Sequence, residues 1–389
     1  HCPGQEGQLS ATGYEPGSGS TIMAYPGACS TSNLGAPRES YYHVSSLDQI
    51  ISYTNFESSE AYLCAAKTDI NNYVPVISLN YPKNFSIPKY TPFYLEGSAT
   101  DENQDALTYT WEQFDNQGSS PLGMPVGNAP IFRSLKPGAS PVRYFPNENR
   151  ILSYEFDNVQ ELLPTYSRNL TFRFVVRDNN PLGNAAVWEE IKFGVTNAGP
   201  FKITYPVNEQ KLVVGKKLNV TWDVANTNLP PVSCQYVDIY VSLNNSLNFK
   251  GESMKLVASC VPNDGEETII IPNNVTNRAR IVIKAHDNIF FTTGLGNSKI
   301  DLPTKPGFIT EIVDNKKSSC LPEAIDFEIQ TTALVGMTDS IQFEIVSGLP
   351  EGAVASFESE KVVAGSNNTL HLNLDSVQGT ADYEVLVRS

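Results

Sequence analysis

Apolar and polar residues alternate along several short stretches of this chain. Leu170-Thr171-Phe172-Arg173-Phe174-Val175-Val176, Leu218-Asn219-Val220-Thr221-Trp222-Asp223-Val224 and Val237-Asp238-Ile239-Tyr240-Val241-Ser242-Leu243 each repeat with a period of two. That period turns one side of a strand to a core and the other to water, so it predicts half-buried β-strands. Ile341-Gln342-Phe343-Glu344-Ile345, Leu370-His371-Leu372-Asn373-Leu374 and Tyr383-Glu384-Val385-Leu386-Val387 continue the pattern. Gly, Pro and Asn separate such stretches, which predicts antiparallel sandwiches. Asn197-Ala198-Gly199-Pro200 and Pro303-Thr304-Lys305-Pro306-Gly307 read as linkers. The first 72 residues differ. Gly17-Ser18-Gly19-Ser20 is turn-prone, and 45–51 predicts a short helix. Its expected N-cap is Ser45, with Asp48 three residues on and Leu47, Ile50 and Ile51 on one face. The expected organisation is 1–72 irregular and helical, then three β domains at 73–198, 199–304 and 305–389. The fold class is mainly β.

Composition sharpens this picture. A chain of 389 residues is too long for one core. Its 26 Gly, 26 Pro, 18 Tyr and 18 Phe favour β-sandwiches over helical bundles. A net charge of −15 repels phosphate backbones, so no nucleic-acid partner is expected. No apolar run reaches the roughly 18 residues that span a bilayer, so no membrane span is expected. Both ends read as cuts within a longer precursor. The six cysteines form no CxxC pair, which points to disulfides in an oxidising compartment and a secreted protein. Cys2–Cys29 and Cys234–Cys260 are the expected bridges, leaving Cys64 and Cys320. Asn84, Asn169, Asn219, Asn244, Asn274 and Asn367 open glycosylation sequons.

One stretch carries a resemblance to known chemistry. Thr21-Ile22-Met23-Ala24-Tyr25 lies within Tyr14-Glu15-Pro16-Gly17-Ser18-Gly19-Ser20 to Gly27, and Tyr41-Tyr42-His43-Val44-Ser45 follows. This resembles the Met-turn region and closing helix of reprolysin-like metzincin zinc peptidases. The resemblance implies that Met23 lies under a catalytic zinc and that Tyr25 can approach it. It also implies Ig-like domains downstream. Gly97-Ser98-Ala99-Thr100-Asp101, Val220-Thr221-Trp222-Asp223-Val224 and Pro262-Asn263-Asp264-Gly265 look like parts of such domains. The chain departs from the family where it matters most. Its four histidines are His1, His43, His286 and His371, and none lies in HExxH. A catalytic zinc needs three protein ligands and an activated water. The resemblance therefore places zinc in a full-length parent, with His1 the one candidate ligand here, and expects this chain to be inactive alone.

A second constellation is Asp101-Glu102-Asn103-Gln104-Asp105. Oxygen ligands at alternate loop positions can wrap calcium. Asp178, after a predicted strand, adds a carboxylate to Asp101, Asn103 and Asp105, and Glu112 is a further candidate. The spacing resembles cadherin-like and PKD-like loops. Trp111, Trp188 and Trp222 fall on predicted strands, where tryptophan is core more often than a sugar platform.

Two functions follow as expectations. The first is the non-catalytic C-terminal portion of a secreted zinc metallopeptidase, its β domains attaching it to extracellular protein, matrix or cell-surface glycan. The second is an extracellular structural or adhesive subunit that retains a relic peptidase segment and self-assembles by strand addition.

Overall fold

The computed structural model describes residues 12–389 other than 37, 58, 65, 67, 117–119, 208, 314–316, 319, 320, 380–382 and 384. The expected alternation becomes strand at Arg168–Arg177, Lys217–Asp223, Tyr236–Ser242 and Asn368–Asn373. The chain is mainly β, with several antiparallel sheets. It condenses into two compact units. One holds residues up to 210, 219–269 and 278–297; the other holds 211–218, 270–277 and 298–389.

The first unit begins with helices α1 (Val44–Asn55) and α2 (Glu60–Cys64). Strands follow as β1 (Val76–Ser78), β2 (Ser86–Pro88), β3 (Phe93–Glu96), β4 (Ser98–Thr100), β5 (Thr108–Gln113) and β6 (Val142–Phe145). Helix α3 (Glu148–Ser153) precedes β7 (Arg168–Arg177) and β8 (Ala186–Thr196). One sheet runs β2-β8-β7-β5, β3 pairs with β6, and β1 pairs with β4. Only β2 runs parallel to its neighbour within this group.

Phenylalanines fill the space between these sheets. Phe93 and Phe145 stack at 4.8 Å, Phe145 lies 4.6 Å from Phe172, and Phe132 and Phe193 complete the cluster. The period of two that predicted β7 sends Phe172 and Phe174 to this side. Trp111 pairs in register with Phe174 and packs on it at 4.7 Å. Large rings bury much apolar area and add edge-to-face attraction.

A second sandwich lies in the same unit. Tyr236–Ser242 is flanked by Met254–Pro262 and Thr276–Ala285, while Lys202–Tyr205 pairs with Lys217–Asp223 in a separate sheet. The two sandwiches join through a shared core of Ile151, Leu247, Met254, Val282 and Phe291, with Tyr94, Tyr144 and Phe249 packed against it. Backbone bonds continue across. Tyr94 N donates to Ile289 O at 3.1 Å and Phe291 N to Pro92 O at 3.0 Å. Phe93 and Phe290 form an antiparallel bridge. Glu148 at the start of α3 accepts from Leu247 N at 2.6 Å and from Ser246 Oγ at 3.1 Å.

The other unit contains a four-stranded sheet in the order Gly307–Ile312, Ile325–Leu334, Asn368–Asn373 and Val354–Phe357. Its core is Ile329, Ile341, Phe343, Val362, Leu370, Leu372, Leu374 and Val377. Within the same unit Lys211–Val213 pairs in parallel with Ser298–Asp301.

Local expectations needed three corrections. Helix α1 is capped by His43, not Ser45, because His43 is extended (ψ 148°) and its ring accepts from Ser45 N. The stretch 341–345 is two strands, Ser340–Gln342 and Glu344–Ser347, which pair with different partners on either side of buried Phe343. Strand near the C-terminus covers only Leu386–Arg388, so the alternation from Tyr383 does not extend it that far back.

Phe172 touches four other rings of the cluster, so Phe172→Ala leaves a large hole. The substitution is expected to lower stability by about 3–5 kcal/mol. A urea titration of the full chain checks this; a loss below about 1 kcal/mol would mean that the ring cluster is not the main support of the first sandwich.

Candidate functional site

The stretch that resembles a Met-turn is tightly built. Residues 16–21 are buried. Gly17 (φ +55°) has Ser32 O 2.5 Å from where a Cβ would sit, and Gly19 (φ +66°) has Ala24 Cβ at 2.8 Å. Only glycine fits either place. Glu15 organises the turn from within: Oε1 accepts from Ser20 N at 3.0 Å and Thr21 N at 3.3 Å, and Thr21 Oγ1 donates to Oε2 at 2.6 Å. Ser20 O and Ile22 N then bond to Glu39 N and Tyr41 O. After this buried stretch the chain turns outward, leaving Met23 61% and Tyr25 55% exposed beside exposed Ile22.

The described residues do not form a zinc site. His43 Nδ1 accepts from Ser45 N at 3.1 Å, His286 Nδ1 lies 2.8 Å from Asp238, and His371 Nδ1 lies 2.7 Å from Asp326. None of these three histidines belongs to a metal-ligating cluster among the described residues. His1, the candidate zinc ligand, falls outside the described residues.

The carboxylates do converge. Ligand oxygens of Asp101, Asp105 and Asp178 lie within 4.8 Å of one another, the one such cluster among the described residues. Asp101 and Asp105 come from the loop after β4, and Asp178 follows β7 directly. Asp178 is fully buried. Its Oδ1 accepts from Ala185 N at 2.8 Å and its Oδ2 from Asn72 Nδ2 at 2.5 Å. Asn180 Nδ2 donates to Asp105 Oδ2 at 2.9 Å, and Asp105 N to Asp101 Oδ1 at 3.0 Å. Asp101 Oδ2 is buried without a hydrogen-bond partner. Like charges this close repel, and donors or a cation must offset the repulsion. An all-oxygen donor set of this kind suits a hard cation such as calcium.

Two of the expected contributors point elsewhere. Asn103 Oδ1 accepts from Tyr73 N at 2.7 Å and its amide donates to Asn71 O, so it ties the loop to residues 71–73. Glu112 is buried beneath α1, where Oε2 accepts from Val44 N. Asn72 and Asn180 instead reach the carboxylates. Their only sequence signal was the asparagine pairs at 71–72 and 179–180, which turn propensity alone explains.

Other expected sites are also placed. Cys29 is buried and disulfide-bonded, with its partner outside the described residues, where Cys2 and Cys320 lie. The expected Cys234–Cys260 bridge is not formed: both are free, as is exposed Cys64. Strand register explains this. The pairing of Tyr236–Ser242 with Met254–Pro262 shifts between Val237 and Ile239, and Cys260 N donates to Asp238 Oδ1 at 2.9 Å. Cys260 thus lies beside Asp238, away from Cys234. Burial pushes the Cys234 thiol up to about 12. Of the sequon asparagines, Asn84, Asn169, Asn219, Asn244 and Asn367 are exposed and Asn274 is half-buried. Trp111 and Trp222 are core, their indole N–H groups donating to Pro141 O and Asn263 Oδ1.

No family model matches the chain, and no curated protein matches it. Among solved structures it is similar to fibronectin(III)-like modules of Clostridium thermocellum CbhA, at 9% identity and TM-score 0.19, covering 59% of this chain and 95% of that one. Immunoglobulin domains 1–4 of Sidekick-1 align at 10% identity and TM-score 0.19, covering 81% and 73%. The four N-terminal Ig domains of Dscam1 isoform 1.9 align at 10% and 0.19, covering 82% and 77%. At these scores the likeness carries no argument about function. Among the described residues no helix is long and apolar enough to cross a membrane.

The thiol assignments are open to alkylation mapped by mass spectrometry. Exposed Cys64 is expected to react in the native chain, and Cys234 only after denaturation, because only a thiolate in reach of the reagent reacts. Native labelling of Cys234 at the rate of Cys64, or a Cys234–Cys260 crosslinked peptide, would contradict the structure.

Proposed function

We propose that this chain is the non-catalytic C-terminal portion of a secreted zinc metallopeptidase, whose β domains attach the enzyme to an extracellular protein, matrix or glycan. The observation that carries this reading is the turn at 15–25. Two glycines without room for a Cβ and a carboxylate bonded to both Ser20 and Thr21 hold it in one shape, yet it presents Ile22, Met23 and Tyr25 to the outside. A soluble chain gains nothing by building a rigid frame for three exposed apolar side chains unless something covers them. A zinc-binding subdomain above Met23 would be such a cover. The precursor, read from its gene, is expected to encode HExxHxxGxxH upstream of residue 1, and the purified chain alone to bind zinc below stoichiometry. A precursor without that helix would remove the peptidase reading.

A second reading, an extracellular structural or adhesive subunit, is favoured by the continuous two-sandwich body, which suits a stiff spacer whether or not a peptidase precedes it. Both readings share a cation. We propose that Asp101, Asp105 and Asp178 bind calcium, with Asn72 and Asn180 as neighbours that hydrogen-bond the same carboxylates. Extracellular calcium sites work at about 10⁻⁴–10⁻³ M. A ligand at one to ten times its Kd stabilises the folded state by about 0.4–1.4 kcal/mol. Millimolar calcium added to chelated protein is therefore expected to raise Tm by about one to five degrees, and Asp178→Asn to abolish the rise. An unchanged wild-type Tm would remove calcium from the proposal.

A further inference from the structure

Strand β5 departs from the period of two: Thr110–Gln113 is buried on both faces. Its inner side carries Trp111 and Gln113, yet Glu112 on the other side is 0% exposed. Its register partner Arg173 and the next outward residue of β7, Val175, are half-buried and buried. The segment 12–55 covers this face. Tyr14 stacks on Phe114 at 4.5 Å, Asp48 Oδ2 accepts from Arg173 Nη1 at 2.9 Å, and Tyr42 O accepts from Arg177 Nη2 at 3.4 Å. At the centre, Glu112 Oε2 accepts from Val44 N at 2.5 Å. His43 Nδ1 is occupied by Ser45 N–H, which leaves the proton of the neutral ring on Nε2, 3.8 Å from the same oxygen.

We infer that Glu112 is a positioning residue that caps α1 from the sandwich and thereby holds the turn bearing Met23. The first N–H groups of a helix have no partner within it, and the helix end carries positive partial charge. A buried carboxylate answers both. The path to the turn is short. Val44 and His43 follow Tyr41, whose carbonyl accepts from Ile22 N at 3.1 Å. Of the other ionic contacts, Arg173–Asp48 is partly exposed, where ion pairs contribute little, and Arg133 Nη2 donates to Glu39 Oε1 at 2.7 Å in a more buried pair. Glu112 is buried because the segment covers it, so removing the Val44 N–H while the cover stays leaves the carboxylate short of a donor, which is costly. The Glu112–Val44 bond thus joins the first sandwich to the segment at the start of α1, alongside the Arg133–Glu39 and Arg173–Asp48 pairs, and a change at the turn is transmitted to β5. This coupling does not depend on the peptidase reading.

Two substitutions act on the bond from opposite sides, the first weakening it to a neutral amide acceptor. Glu112→Gln removes the charge. Val44→Pro removes the donor at the first helical position, where proline is tolerated, and His43 already has the extended backbone that proline requires of its predecessor. Hydrogen exchange of the full chain, read by mass spectrometry, is expected to rise about tenfold or more over residues 18–55 in each variant, with 202–269 unchanged. The double variant is expected to exchange no faster than the faster single one, because both act on the same interaction. Multiplying effects in the double variant, or 18–55 as protected as wild type in Val44→Pro, would overturn the inference. If Glu112→Gln loosens the whole first sandwich, Val44→Pro alone decides between these outcomes.

Discussion

The packing of Phe93, Phe132, Phe145, Phe172 and Phe193 sets the frame for everything else in the larger unit. These rings lock β3 and β6 over β7 and β8, and the locking fixes register. Once Phe172 and Phe174 point inward, Arg173, Val175 and Arg177 must point outward. Because Trp111 sits opposite Phe174, Glu112 sits opposite Arg173. The end of β7 is placed by the same constraint, so Asp178 arrives beside the loop that carries Asp101 and Asp105. A slip of one residue would exchange the two faces and dissolve both the carboxylate cluster and the seat of α1.

Two kinds of polar burial result, and they differ in physical character. The carboxylates at 101, 105 and 178 are an excess of one charge, held by asparagine amides and backbone N–H groups. Their oxygens face one another with no cationic side chain of the described residues between them. The carboxylate of Glu112 is answered from within the chain by a helix end. Burial also pulls the Arg177 guanidinium below its usual pKa, and the Glu112 charge opposes that shift. Neighbouring Tyr41 is held above the usual tyrosine range, first by burial and then by Glu112. These groups form a dry seam between the N-terminal segment and the sheet.

Much of this was legible from the residues. Alternation marked β7, Lys217–Asp223 and Tyr236–Ser242 because those strands have one wet and one dry face. It could not mark Glu112 as buried, since a glutamate on the outward face of a strand normally meets water. The covering segment comes from 57 or more residues earlier in the chain, and no local pattern reports it. The glycines at 17 and 19 read as turn-prone, but not as wedged, because glycine serves tight turns and flexible linkers alike. Asp101, Asp105 and Asp178 could be grouped from loop spacing and strand ends. Asn72 and Asn180 could not, because asparagine is abundant at turns. The cysteine pairing failed at a register shift, which sequence spacing does not record. The metzincin resemblance rests on the turn motif, and the described histidines add nothing to it.

The passage between the two sandwiches has a consequence for durability. Lys89 N donates to Ala198 O at 2.8 Å, Gly199 N to Ala225 O at 3.0 Å, and Phe201 N to Thr91 Oγ1 at 3.0 Å. Lys89 O lies 2.4 Å from where a Cβ on Gly199 would sit. Connections between domains are ordinarily the loose, protruding places where a chain is nicked. This one is stitched down on both sides and would have to peel away before any scissile bond could be drawn into a cleft. The junction between the two sandwiches thus leaves no slack at the place where a two-domain chain is usually cut.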